Sequence, residues 1–92
     1  MIRYFYVKEI FFQPDKKIIE KIKGYFTDQF HNSFLPPEFI SRQKAIEMIN
    51  AGNILFIEDK SNHRIRIKLI NVENDLFLRI DKLSQPYDYL GK

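Results

Sequence analysis

Apolar residues crowd the start of the chain and then settle into two different periods. Over residues 2–12, Ile2, Tyr4, Tyr6, Ile10 and Phe12 share one parity, while Phe5, Val7 and Phe11 share the other. A segment apolar on both sides and rich in aromatic and β-branched residues predicts a buried central strand. Pro14 ends it, and Asp15 stands as an N-cap before the run "KKIIEKIKGYFTDQF". In that run Ile18, Ile19, Ile22, Tyr25, Phe26 and Phe30 recur at three-to-four spacing, with Lys16, Lys17, Glu20, Lys21 and Lys23 tending to the other side. The spacing predicts an amphipathic helix over 15–30, weakened at Gly24.

The next stretch, 31–40, reads as a linker, because adjacent Pro36 and Pro37 remove backbone donors and disfavour helix just before them. Ser41 then caps a second helix over 42–51, with an inner stripe of Ala45, Ile46 and Ile49 and with Gly52 to close it. Three strands follow, 53–58, 64–70 and 76–80, separated by the polar turns "DKSN" and "NVEN". In the tail, 84–92, Tyr87, Tyr89 and Leu90 are large for a free end. They are expected to pack back on the sheet and cover an edge, the alternative being a peptide-like arm for a partner. The fold expected is a single α+β domain spanning 1–92. Its antiparallel sheet, the N-terminal strand plus a three-stranded β-meander, packs on two helices.

Register gives that sheet two different faces. A turn at Asn71 to Asn74 sets Leu69 against Leu76, Ile67 against Leu78 and Ile65 against Ile80, an apolar core side. It also sets Lys68 against Phe77 and Arg66 against Arg79, with Arg64 near Asp81. Closing the first hairpin on Asp59 to Asn62 leaves Leu55 and Ile57 beside Arg66 and Arg64. The outer face expected is therefore Arg64, Arg66, Lys68 and Arg79, interleaved with Phe77, Leu55 and Ile57. The plainest account of such a face is solvation, since antiparallel sheets commonly turn one side to water. Opposed arginines repel, however, and call for a counter-charge. Glu58 or Asp81 supplies it internally, or an external anion does, for which guanidinium groups are well shaped. Cations interleaved with an aromatic ring also match the composition of single-strand nucleic-acid surfaces. A third use of the face is a homodimer or partner interface, apolar at the centre with an arginine rim.

Composition narrows the chemistry. With 45% hydrophobic residues, nine Phe and five Tyr, the chain has the material for a core. There is no cysteine, which removes disulfides and thiolate metal sites and fits a reducing compartment. "MIRYFYVKEIFF" is too short and too interrupted by Arg3, Lys8 and Glu9 for a secretory or membrane-spanning segment, so a cytoplasmic protein with no membrane contact is expected. A net charge of +3 permits a nucleic-acid partner. Lys16, Lys17, Lys21 and Lys23 form a secondary basic patch, whose ordinary role is a solvated helix face with Glu20 among the lysines. His31 and Asp28 make no metal site by themselves, and His63 lies in a turn. "SRQK" matches the S-x-x-K spelling of some serine acyl enzymes, but Ser41 is explained by capping and none of the accompanying motifs is present. Neither a glycine-rich phosphate loop nor a carboxylate pair appears, so no catalytic residue, metal or cofactor is assigned.

Ala45, Ile46, Ile49 and Gly52 match a helix of the type A-I-x-x-I-x-x-G, and Asp88 to Leu90 match a terminal D-x-L. With the opening strand and the meander, these make the chain resemble a small uncharacterised bacterial and phage family of unknown function. The lysine-bearing run and the "FLPP" segment depart from it. The resemblance implies a fold and no activity. The function expected is thus a non-enzymatic binder of nucleic acid or another anionic partner. The alternative is a protein-binding modulator or inhibitor, such as a phage-encoded one acting on a host or defence protein.

Overall fold

A computed structural model of the chain describes residues 2–28, 30, 32 and 35–91. The N-terminal run forms the expected strand, β1 (Tyr4–Phe12), but its neighbour β2 (Ile19–Thr27) is a strand where a helix was expected. Then come β3 (Glu38–Ser41), α1 (Arg42–Asn50), β4 (Ile54–Glu58), β5 (Arg64–Arg66), β6 (Lys68–Val72) and β7 (Asp75–Arg79). The first five strands form one sheet in the order β3-β2-β1-β4-β5, and β6 and β7 form a second. The α+β expectation with two helices is therefore corrected: the described residues are mostly β, with one short helix and two sheets among them.

The missing helix has a definite physical cause. Phe11 pairs with Lys21 and Phe12 with Ile19, so Glu20 bulges out of β2 and the inward phase shifts there. Ile19, Ile22 and Gly24 all end up buried, and a bulged strand has imitated a three-to-four period. Asp15 is not a helix cap. Its carboxylate accepts from the backbone N–H of Lys17 (2.9 Å) inside the β1–β2 hairpin turn, the same local chemistry used to reverse a chain. A second bulge at Lys8, between the pairs Val7–Gly24 and Glu9–Lys23, brings Ile10 and Phe12 onto the side of Phe5 and Val7. Gly24 is dictated by close approach: a Cβ there would lie 2.0 Å from the carbonyl oxygen of Tyr6.

β4 lies parallel to β1, pairing Tyr4 with Ile54 and Phe5 with Leu55, and α1 bridges the sheet from β3 to β4. The helix forms where its punctuation places it. Ser41 Oγ accepts from the N–H of Lys44 (3.1 Å), and at the other end Gly52 takes φ 92°. There the N–H groups of Gly52 and Asn53 donate to the carbonyls of Ile49 and Met48, a Schellman closure. Ala45, Ile46 and Met48 are the buried face.

The expected 64–70 strand is divided. Its first half pairs with β4 and its second half with β7, with Ile67 buried at the junction. Both expected registers move. The β4–β5 loop runs from Asp59 to His63, one residue longer than expected, and pairs Ile57 with Ile65 and Phe56 with Arg66. The β6–β7 turn is the pair Glu73 and Asn74, both at positive φ, which sets Leu69 against Leu78 and Lys68 against Arg79. The core lies between the sheets and under α1, with Phe5, Val7, Ile22, Leu55, Ile57, Ile67, Leu78 and Leu90 as members.

The tail packs back and is fastened by Asp88. Its buried carboxylate accepts from the N–H groups of Ile19 and Leu78 (2.8 Å each) and from Arg42 Nε (2.8 Å) and Nη2 (3.0 Å). Arg42 Nη2 also donates to the Leu76 carbonyl (2.7 Å). One carboxylate thus joins β2, α1, β7 and the tail.

Two stability outcomes follow. Gly24→Ala forces Tyr6 and β1 aside and is expected to lower stability by about 1–3 kcal/mol, the range for overpacking, or several degrees in Tm. Asp88→Ala strands two inward N–H groups and a guanidinium and is expected to lose about 3–5 kcal/mol. Thermal and urea denaturation followed by circular dichroism check both; wild-type midpoints for either variant would overturn its account.

Candidate functional site

Alternate residues of the five strands build a face opposite the core, and the register aligns them in rows. Tyr25 on β2 pairs with Tyr6 on β1, Tyr6 with Phe56 on β4, and Phe56 with Arg66 on β5. The rings of Tyr6 and Phe56 are stacked, with centroids 5.1 Å apart and planes 4° from parallel. Lys8, released by its bulge, places Nζ 5.0 Å from the Tyr6 ring centroid. Towards the opposite edge, Phe39 of β3 pairs with Lys23 and Lys23 with Glu9, while Ser41 pairs with Lys21 and Lys21 with Phe11.

At that edge cations and rings intermingle. Lys21 Nζ lies 4.9 Å from the Phe39 centroid and 5.4 Å from that of Phe11, and Lys23 Nζ lies 5.2 Å from Phe39. The two phenylalanine rings are 5.7 Å apart. Phe39 is 54% exposed, a large apolar surface left in solvent. Among the described residues, Lys21, Lys23, Arg64 and Arg66 form no ion pair. The face carries Lys8, Lys21, Lys23, Arg64 and Arg66 against Glu9 and Glu58, the latter opposite Arg64. It is an aromatic and cationic surface with its charge largely uncompensated.

Of the seven residues expected to line an outer face, the structure brings only Arg64 and Arg66 to this one. Leu55 and Ile57 are core residues, because the extra loop residue turned β5 over relative to β4. Phe77 is buried below Arg42, whose guanidinium carbon is 5.9 Å from its ring centroid. Lys68 belongs to the second sheet and donates to the Ile80 carbonyl (3.2 Å). Arg79 is 2% exposed and fully engaged: Nε and Nη2 donate to the two oxygens of Asp81 (2.6 and 2.9 Å), and Nη1 donates to the Tyr87 carbonyl (2.9 Å). The expected opposition of Arg66 and Arg79 does not occur.

The secondary lysine patch also divides. Lys21 and Lys23 join the face, whereas Lys16 and Lys17 stand in the β1–β2 turn. Sequence reasoning missed Tyr6, Lys8, Phe11, Tyr25, Phe39 and Phe56 as face residues. Gly24 in the middle of an apolar run was the available signal that residues 19–27 were a strand.

His31 lies outside the described residues. His63 Nδ1 is 3.5 Å from Asp59 Oδ2 in the β4–β5 loop, and the described residues hold no cluster of three or more His, Cys, Asp or Glu suited to a metal ion. No described helix is long and apolar enough to cross a membrane. Comparison with known proteins finds no matching family model, curated protein or solved structure, and so lends no support to the family resemblance of the second half.

The Arg79–Asp81 pair makes a pH prediction. The hydrogen bonds from Arg79 hold the Asp81 carboxyl below its ordinary range, and the same contact raises Arg79. A carboxyl lowered by folding contributes stability above its unfolded pKa and loses it as pH falls through the folded value. Asp81→Asn is therefore expected to cost stability at neutral pH and progressively less below the ordinary carboxylate range. Urea midpoints at neutral and strongly acid pH check this, and a deficit that stays constant across that range would refute it.

Proposed function

We propose that the protein is a non-enzymatic binder of single-stranded nucleic acid, working through the outer face of the five-stranded sheet. The observation that carries this is the joint presence on one face of rings and of cations that form no ion pair among the described residues: half-buried Tyr25 and Tyr6 in a row that passes the buried Phe56 and ends on exposed Arg66, and exposed Phe39 beneath Lys21 and Lys23. An unpaired strand offers what such a face takes, base planes for the rings and phosphates for the cations. A duplex offers less. Its bases are stacked inward, and five strands at about 4.8 Å spacing make a sheet about 19 Å across, too broad for a major groove about 12 Å wide.

Arg64 and Arg66 suit phosphate because guanidinium offers a planar fork of donors, and among the described residues neither forms an ion pair with a carboxylate.

Fluorescence anisotropy of labelled single-stranded DNA, single-stranded RNA and duplex DNA, at low and moderate salt, tests the proposal. Single strands are expected to bind, with log affinity falling by about 0.7 per phosphate contact for each decade of salt. Arg64→Glu with Arg66→Glu is expected to weaken binding at least about ten-fold at low salt, since two attractive contacts become repulsive. No binding at low salt would sink the proposal and turn attention to the protein-binding alternative.

A further inference from the structure

The geometry at the β2–β3 edge goes further, and it rests on the single-strand reading. We infer that Phe39 and Tyr25 seat two successive bases, with Lys23 holding the phosphate between them. Phe39 pairs directly with Lys23, and Tyr25 is the next residue on the same face of β2. Phe39 and Tyr25 are thus diagonal neighbours across an antiparallel pair, about 7–8 Å apart. That is roughly twice the 3.4 Å rise of a stacked strand, so only a strand that has been unstacked and extended places consecutive bases over both rings.

Lysine ammonium groups now lie over the ring that would take the first base. Lys21 and Lys23 stand 4.9 and 5.2 Å from the centroid of Phe39, one ring carrying two like charges. An arriving base takes the ring face and sends the ammonium groups outward to its flanking phosphates. Each displaced cation–π contact is exchanged for a stacking contact plus an ion pair, and the repulsion between the two lysines is relieved by the anion. Lys21, which also reaches Phe11 at 5.4 Å, serves the phosphate on the outer side of the first base. Phe39 is exposed and Tyr25 half-buried, so neither ring is needed for the core.

The test is anisotropy of labelled twelve-nucleotide oligothymidine and oligouridine, and of a duplex of equal length, over a salt series. Wild type is compared with Phe39→Ala, Tyr25→Ala, the double variant and Lys23→Gln, each checked for folding by circular dichroism. Either alanine variant is expected to lose about five-fold or more in affinity with the salt slope unchanged. Lys23→Gln is expected to reduce the slope by about 0.7. The double variant is expected to lose less than the product of the single losses, because a strand that misses one ring no longer registers on the other. The duplex is expected to bind more weakly than either single strand. If wild type binds single strands while Phe39→Ala and Tyr25→Ala bind equally well, the two-ring seat is wrong and the basic face stands. A duplex bound as tightly as the single strands would also overturn the seat. If wild type binds neither oligonucleotide, the underlying reading falls with it.

Discussion

The structure depends on one buried carboxylate. Asp88 collects four donors from three otherwise separate places: the first residue of β2, the penultimate residue of β7 and the first residue of α1. Removing a charge from water is costly, and the cost is offset only where every lone pair is met by a donor of good geometry. Here two backbone N–H groups and one guanidinium meet that demand. The second sheet shares few direct backbone bonds with the first, so this carboxylate and the buried apolar side chains between the layers are what set their relative position. Arg42 does two things at once. It neutralises Asp88 and, through the Leu76 carbonyl, fastens the start of β7 to the helix.

With the layers fixed, the two faces of the larger sheet follow from its irregularities. The bulges at Lys8 and Glu20 rephase β1 and β2 so that each stays buried on the core side along its length. Without them the parity of β1 would place Ile10 and Phe12 outward and Phe11 inward. The side opposite the core therefore holds Tyr6 and Tyr25 together with Phe11, Lys21 and Lys23, and the place of Phe11 on it belongs to the strand geometry as much as to composition. Gly24 makes the closest point of this arrangement, where β2 meets the Tyr6 carbonyl and no side chain fits between them.

The sequence was legible where its signals were local. The central strand, the helix after Ser41 with its serine and glycine ends, and the burial of Leu90 in the tail all rest on short-range chemistry that the structure repeats, whereas Tyr87 and Tyr89, expected to pack back with it, stay exposed. It misled where two periods overlap. Ile19, Ile22 and Phe26 satisfy a helix as readily as a bulged strand, and nothing short of the pairing with β1 separates them. The comb at Arg64, Arg66 and Lys68 did put three cations on one parity, but parity holds only while a strand continues, and Ile67 passes the chain from one sheet to the other. Arg79 shows the limit of reading charge as availability. A guanidinium in a sequence looks free, whereas here every side of it is occupied by Asp81, the Tyr87 carbonyl and the rings of Tyr87 and Tyr89. Of the seven residues expected on an outer face, only Arg64 and Arg66 lie on the candidate face of the larger sheet.

The parallel pairing of β1 with β4 has a further consequence, for the order in which the molecule is made. β1 and β2 can close as a hairpin as soon as both exist, but the other edge of β1 finds its partner only when Ile54 to Phe56 arrive, after β3 and α1. Non-local pairing of this kind is slow to form, because the intervening chain must be closed into a loop before the contacts are made. Until then a hairpin rich in aromatic side chains presents an unpaired edge, the situation in which nascent β-proteins associate wrongly. The lysines on that hairpin, at positions 8, 16, 17, 21 and 23, outnumber its carboxylates Glu9, Asp15 and Glu20 and give the early intermediate a modest net positive charge of its own. Mutual repulsion would keep such intermediates apart during the interval before β4 completes the sheet.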